Sequence, residues 1–206
     1  MDNNQIQAII FDVDGVIFKT YDENGNFLWC RNIKNDLGLT SKHLSFIFSD
    51  KWDSIIRGTI DLNDHLQEVF QHKLFQDLAI TQEQYMKYWL SHDHQVNQDI
   101  LDLVKSLKIP CYLGTNQEAC RTNHILDTAG SYFKECFASY TIGFIKPEQG
   151  FFQHVQKALS LSPYELLLID DTKNNIEGAQ KCGWQVYHYQ NDIDALINFL
   201  KKHDVL

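Results

Sequence analysis

With 206 residues, 44% of them hydrophobic, the chain can bury a substantial core, as one α/β domain with an insertion or as two small domains. Its formal charge of −9, with no Lys/Arg cluster, repels polyphosphate backbones, so no nucleic-acid partner is expected. No apolar run reaches the about 18 residues of a membrane span, the opening MDNNQIQA lacks a signal-peptide pattern, and no membrane partner is expected. Five scattered cysteines, Cys30, Cys111, Cys120, Cys136 and Cys182, form no C-x-x-C pair and read as reduced, which places the chain in the cytoplasm.

The stretch Gln7–Phe18 opens the chain with a buried-strand run, Ala8 to Phe11, that ends in Asp12, Asp14 and Gly15. Carboxylates at the end of a buried parallel strand sit in the crevice where open α/β sheets place ligands, and two of them so close need a proton or a cation. Residues 16–28 follow, with Asn24-Gly25 between aromatic and apolar flanks; this spacing predicts a small β-hairpin flap over the crevice, with Thr20 and Tyr21 serving the hairpin itself. Residues 29–94 then read as a helical module. Leu44, Ile47 and Phe48, then Trp52, Ile55 and Ile56, then Leu62, Leu66, Val69 and Phe70 recur at helical spacing, and Thr81 with Gln84 forms a capping box before Tyr85, Tyr88 and Trp89. The module suits a lid, and its aromatics Phe46, Phe48, Trp52, Tyr85 and Trp89 are assigned to its own core.

From residue 95 strand and helix alternate. Asn97 caps a helix carrying Ile100, Leu101, Val104 and Leu107; Pro110 to Thr115 is a strand; Gln117 to Ala129 is a helix closed by Gly130. Phe137 to Tyr140 is a third strand, Glu148 to Leu159 a helix, and Leu166 to Asp170 a second apolar strand ending in acid. A helix from Lys173 to Cys182 with Gly183 beyond its end, a strand from Trp184 to Tyr189 and a helix from Ile193 to Lys202 complete the chain. The expected fold class is α/β, a Rossmann-like, doubly wound, mostly parallel sheet formed by residues 1–28 and 95–206.

A parallel sheet brings its strand ends to one edge, so Asp12 and Asp14, Thr115-Asn116 and Asp170-Asp171 converge, with Lys146-Pro147 just before a helix. Three or four carboxylates there call for a hard cation, and oxygen-only ligation suits Mg2+. A metal, a lysine and a hydroxyl suit a phosphoryl group, which an aspartate can attack to give an aspartyl phosphate.

The segments D12-V-D14-G-V, G114-T115-N116, I145-K146-P147 and I169-D170-D171-T-K-N-N175 resemble the four ordered motifs of the haloacid dehalogenase (HAD) superfamily, and together they cover nearly all of the chain outside the helical module. The resemblance implies that Asp12 is the nucleophile and Asp14 the general acid/base. It implies that Thr115, with the backbone around Asn116, binds the phosphoryl group, and that Lys146 neutralises phosphate and nucleophile. It further implies Mg2+ held by Asp171, with Asp170 near it, and by Asp12 and the Asp14 main-chain carbonyl. Asn175 is a support for that loop, with helix packing or surface solvation as the alternative readings. The family's true dehalogenases lack the second aspartate of the first motif, so Asp14 points to phosphoryl transfer; a helical insert between the first two motifs is like the family's first cap class.

Taken singly, each residue has an ordinary reading: Thr115 as a turn hydroxyl, Lys146 as a solvated side chain, Asp170-Asp171 as a helix cap. Their joint order at strand ends makes coincidence improbable. Arg57 is a candidate substrate contact, although an arginine at a helix end is more often a surface residue. His92 and His94 read as linker residues. The expected function is a Mg2+-dependent phosphatase acting on a small phosphate monoester, such as a sugar phosphate, with a phosphomutase of the same fold or a non-enzymatic binding module as the alternatives.

Overall fold

The computed structural model describes residues 5–93 and 95–206. The apolar runs form β1 (Ala8–Phe11), β2 (Cys111–Thr115), β3 (Cys136–Ala138), β4 (Leu166–Asp170) and β5 (Gln185–His188). They pair as one all-parallel sheet in the order β3-β2-β1-β4-β5. The β1 and β4 runs are apolar throughout because both faces of the sheet are covered. On one face, Ile9, Phe11, Leu167 and Ile169 pack with residues of α6 (Gln98–Ser106), α7 (Ala119–Ala129) and α11 (Ile193–Lys202). On the other, Ala8, Ile10, Leu166 and Leu168 meet α9 (Gln149–Leu159) and α10 (Lys173–Lys181). Chain order reverses about β1, which puts the crevice at its carboxyl end.

The segment between β1 and α6 contributes α1 (Ile33–Leu37), α2 (Ser41–Ile47), α3 (Trp52–Ile56), α4 (Leu62–Gln71) and α5 (Gln82–His92). These helices share a separate apolar cluster that includes Leu39, Ile47, Ile55, Leu66, Tyr85 and Trp89. The expected capping box holds: the Gln84 N–H donates to Thr81 Oγ1 at 3.2 Å, and the Thr81 N–H donates to Gln84 Oε1 at 2.8 Å. The chain enters and leaves this segment side by side, since the Lys19 N–H donates to Gln95 O at 2.7 Å and the Asn97 N–H to Ile17 O at 2.8 Å.

Several boundaries differ from expectation. The flap is a loop with a single bridge, Tyr21 to Phe27, rather than two strands. The Asp22 carboxylate takes the N–H groups of Asn24 and Asn26, both at 2.9 Å, and this local bonding replaces a two-residue turn and its ladder. Asn97 occupies the N-cap of α6, but its Nδ2 donates to Val16 O at 3.2 Å, so it fastens the linker rather than the helix. Gly130 continues with helical φ into a short 3-10 turn. Tyr140 belongs to a one-turn helix, α8 (Ser139–Ile142), because β3 ends at Ala138.

A second tie joins the inserted segment to the core. Arg57 donates to Glu148 at 2.7 and 2.9 Å and to Asp53 at 2.7 Å, and Ser139 Oγ donates to Ile56 O at 2.5 Å. Gly58 beside it has φ of 72°, and a Cβ there would stand 2.2 Å from Tyr140 O. Gly58→Ala should therefore lower stability by about 1–3 kcal/mol through strain and backbone clash, read as a shifted urea midpoint at unchanged m-value.

Candidate active site

The site begins where β1 stops. The Asp12 N–H donates to Ile169 O at 2.9 Å, which holds the turn against β4, and Gly15 at φ of 75° sends the chain away. Gly15 is also required by space, because a Cβ there would lie 2.0 Å from Asp171 Oδ2. Lys146, in the loop before α9, reaches between two strand ends: its Nζ is 2.9 Å from Asp12 Oδ1 and donates to Asp170 Oδ2 at 2.6 Å. Asp170 further accepts from the Thr172 N–H at 2.8 Å and from Asn175 Nδ2 at 3.1 Å, so its oxygens are largely committed. The support from Asn175 expected from the sequence is thus direct.

Carboxylate oxygens of Asp12, Asp170 and Asp171 lie within 4.8 Å of one another, and this is the group with metal-ligand geometry among the described residues. One ammonium faces three carboxylates. Burial pushes the Asp12 carboxyl well above its ordinary range; Lys146 opposes this and Asp170 reinforces it. Asp171 is raised by burial and by Asp170. Crowded, desolvated, all-oxygen donors of this kind fit a hard divalent cation such as Mg2+. Asp12 and Asp171 have the freer oxygens, whereas Asp170 holds Lys146 and its own loop.

Asp14 points elsewhere. Its carboxylate receives Arg121 through both terminal nitrogens at 2.7 and 2.6 Å, Thr20 Oγ1 at 2.7 Å and Gln117 Nε2 at 2.6 Å. Burial would raise this acid, but the charge and hydrogen bonds of Arg121, with that of Thr20, outweigh it and hold Asp14 below its ordinary value. Arg121 is itself buried and also donates through Nε to Asp93, where the inserted segment returns to the core. Sequence reasoning missed Arg121, Gln117 and Asp93 and gave Thr20 to the hairpin. The available signal was position: Gln117 and Arg121 directly follow the second motif, although α7 starts only at Ala119, so Gln117 reaches Asp14 from the loop and Arg121 from the helix's first turn.

Thr115 is buried at the end of β2, on the same sheet edge. Asn116 brackets the lysine loop, with its Nδ2 donating to Lys146 O at 2.8 Å and its Oδ1 accepting the Lys146 N–H at 2.7 Å. Its side chain is thereby occupied. Arg57 does not join these residues; its guanidinium is committed to Glu148 and Asp53. His92 stacks on Tyr88 with centroids 4.0 Å apart, and His94 lies outside the described residues.

Above Asp14 opens a cavity of about 560 Å³. Its floor is Asp14, Thr20, Asn116, Gln117 and Arg121, and the inserted segment supplies Trp29, Leu44, Phe48, Trp52 and Trp89. The aromatics expected to serve only the segment's core therefore divide: Phe48, Trp52 and Trp89 face the cavity, Tyr85 is fully buried, and Phe46 stacks on His72 outside it. Tyr21, also expected to serve the hairpin, lines the cavity, and burial together with the Asp14, Asp171 and Asp12 charges pushes its phenol up to about 12.

Two substitutions test this construction. Arg121→Met leaves Asp14 and Asp93 without their shared cation, and unfolding by denaturant should show a loss of about 3–5 kcal/mol. Gly15→Ala should displace Asp171, and titration calorimetry should then show at least about tenfold weaker Mg2+ binding in a protein that remains folded.

Residues 6–183 match the model of the haloacid dehalogenase-like hydrolases. A sesquiterpene phosphatase of Aspergillus oryzae is 25% identical over 195 residues, covering 91% of each chain. Among solved structures, a HAD family enzyme of Bacteroides thetaiotaomicron superposes with a TM-score of 0.77 at 21% identity, over 94% of this chain and 98% of that one. The same enzyme in complex with magnesium and inorganic phosphate gives 0.74 at 21% identity, over 93% and 98%. A predicted HAD-like hydrolase of Porphyromonas gingivalis gives 0.73 at 20% identity, over 96% and 98%. With a family match over most of its length and with the four motif segments gathered at one sheet edge, the chain belongs to the haloacid dehalogenase-like hydrolases.

Proposed function

We propose that this hydrolase is a Mg2+-dependent phosphatase of small phosphate monoesters that works through an aspartyl phosphate on Asp12. The observation that carries the reading is the division of labour at the end of β1: Asp12 faces Lys146 and the acidic cluster, while Asp14, two residues on, faces the substrate-sized cavity. The names of relatives point the same way, one a phosphatase and one crystallised with magnesium and inorganic phosphate.

In the first half-reaction an Asp12 carboxylate oxygen attacks phosphorus and the bond from phosphorus to the alcohol oxygen breaks. Asp14 supplies the proton that the departing alkoxide needs. In the second, Asp14 takes a proton from water, the hydroxide attacks phosphorus, and Asp12 is released with inorganic phosphate. Lys146 and Thr115, with the main chain at Asn116, hold the phosphoryl oxygens. Asp12, Asp171 and the Asp14 carbonyl would hold Mg2+, with Asp170 behind them; when bound, the ion neutralises carboxylate and phosphoryl charge. Arg121 favours Asp14 as the carboxylate, which is the form that accepts a proton from water. To protonate an alkoxide Asp14 must first carry a proton, so the Arg121 pairing has to loosen.

Residues 29–94 act in this reading as a cap, and the loop at 16–28 as its entry linker, closing over a small phosphorylated metabolite. All five cysteines are unpaired, which suits a cytoplasmic setting.

Asp12→Asn should abolish hydrolysis of p-nitrophenyl phosphate in Mg2+ while the circular dichroism spectrum is unchanged; a wild-type rate would refute the nucleophile. Asp14→Asn should separate two substrates. Nitrophenolate leaves without a proton and an alkoxide does not, so activity on an alkyl phosphate should fall at least about 100-fold beyond any loss on p-nitrophenyl phosphate. Removal of Mg2+ with EDTA should silence the wild type, and added Mg2+ should restore it.

A further inference from the structure

We infer that the alcohol released by this phosphatase is a hydrocarbon alcohol, isoprenoid, alkyl or aryl, and not a polyhydroxylated sugar. The inference rests on the phosphatase reading and names the leaving group for that site. Three observations carry it.

Among the described residues, the wall that the inserted segment turns toward Asp14 holds no charged side chain. Phe48, Trp52 and Trp89 form an aromatic cluster on that wall, with centroids 4.6 Å apart for Phe48–Trp52, 5.8 Å for Phe48–Trp89 and 6.1 Å for Trp52–Trp89. Ser45, the hydroxyl on that wall, donates to Ser41 O at 2.9 Å. The polar floor is largely committed as well, since Thr20, Gln117 and Arg121 all donate to Asp14 and Asn116 bonds to the lysine loop. A sugar inside would bring several hydroxyls to a mainly hydrocarbon wall, where the indole N–H groups and the Tyr21 hydroxyl are the remaining polar groups. Each hydroxyl left unpaired on burial weakens binding roughly five- to 100-fold, while each buried methylene strengthens it roughly fourfold.

The cavity, about 560 Å³, is in the range of about 300–1,000 Å³ that accommodates drug-sized ligands, well beyond what one phosphoryl group fills. At its mouth Tyr21 and Phe27 stand 42% and 47% exposed with ring centroids 5.0 Å apart, an apolar pair that a hydrocarbon chain leaving the cavity would cover. An aromatic box can also take a quaternary ammonium group. Here Phe48, Trp52 and Trp89 pack on one another rather than around a central space, and the volume exceeds what a trimethylammonium head needs.

The test compares geranyl phosphate, glucose 6-phosphate and phosphocholine by phosphate release, and follows their binding to the Asp12→Asn protein with Mg2+ by tryptophan fluorescence. Three of the four tryptophans, Trp29, Trp52 and Trp89, line the cavity, so an occupant should change the emission. The expected result is a kcat/KM at least about 100-fold higher for geranyl phosphate than for either polar ester. Trp52→Ala and Leu44→Asn should each lower that ratio by at least about tenfold, and Trp52→Phe should restore most of it. A ratio near one, or a preference for glucose 6-phosphate or phosphocholine, overturns the inference even while Asp12-dependent hydrolysis of p-nitrophenyl phosphate upholds the phosphatase reading. Tight binding of geranyl phosphate with no turnover of any ester does the reverse: the cavity assignment stands and the phosphatase reading fails.

Discussion

The ammonium of Lys146 is the interaction on which the site depends. It lies buried between Asp12 at 2.9 Å and Asp170 at 2.6 Å, two carboxylates that end the central strands β1 and β4 side by side. Without it the sheet edge would hold uncompensated charge away from water, a loss of about 3–5 kcal/mol for a buried pair. Burial opposes the charged form of Lys146, yet the two aspartates raise its affinity for the proton, so the lysine stays cationic. Asn116 clasps the same loop from the end of β2, through both its amide nitrogen and its oxygen. Strand ends far apart in sequence are thereby joined in one network.

A second ionic network ties chemistry to architecture. Arg121 joins Asp14 to Asp93, and Asp93 sits at the C-cap of α5, where the inserted segment returns to the sheet. The geometry of the acid/base candidate is thus referred to the linker as well as to its own strand. The other attachment, Arg57 with Glu148 and Asp53, is on α3 and near solvent. Exposed ion pairs of this kind set orientation more than they add stability.

The inserted helices carry an apolar cluster of their own, and part of it faces the cavity. Trp29 and Trp89 do both, packing inside the cluster and lining the space over Asp14. One set of side chains thus stabilises the segment and shapes the space for a substrate, so selectivity and packing cannot vary independently there.

Elements with a strong local signature were legible in the chain alone. The apolar runs of β1 and β4, the capping box at Thr81 and Gln84, and the motif residues Asp12, Asp14, Thr115, Lys146, Asp170 and Asp171 stand out because strand period, cap chemistry and charge at strand ends are short-range properties. The flap was misjudged because Asn24-Gly25 competes with an equally short-range alternative, the Asp22 carboxylate taking the N–H groups two and four residues on. Arg121 looked like any helix arginine, since burial against Asp14 and Asp93 depends on contacts 107 and 28 residues away. The order of motifs along the sequence determined family, fold and candidate chemistry. Only the tertiary structure decided which side chains face one another across the cavity, because helical periodicity marks a residue as apolar without saying whether its face meets a neighbouring helix or a ligand.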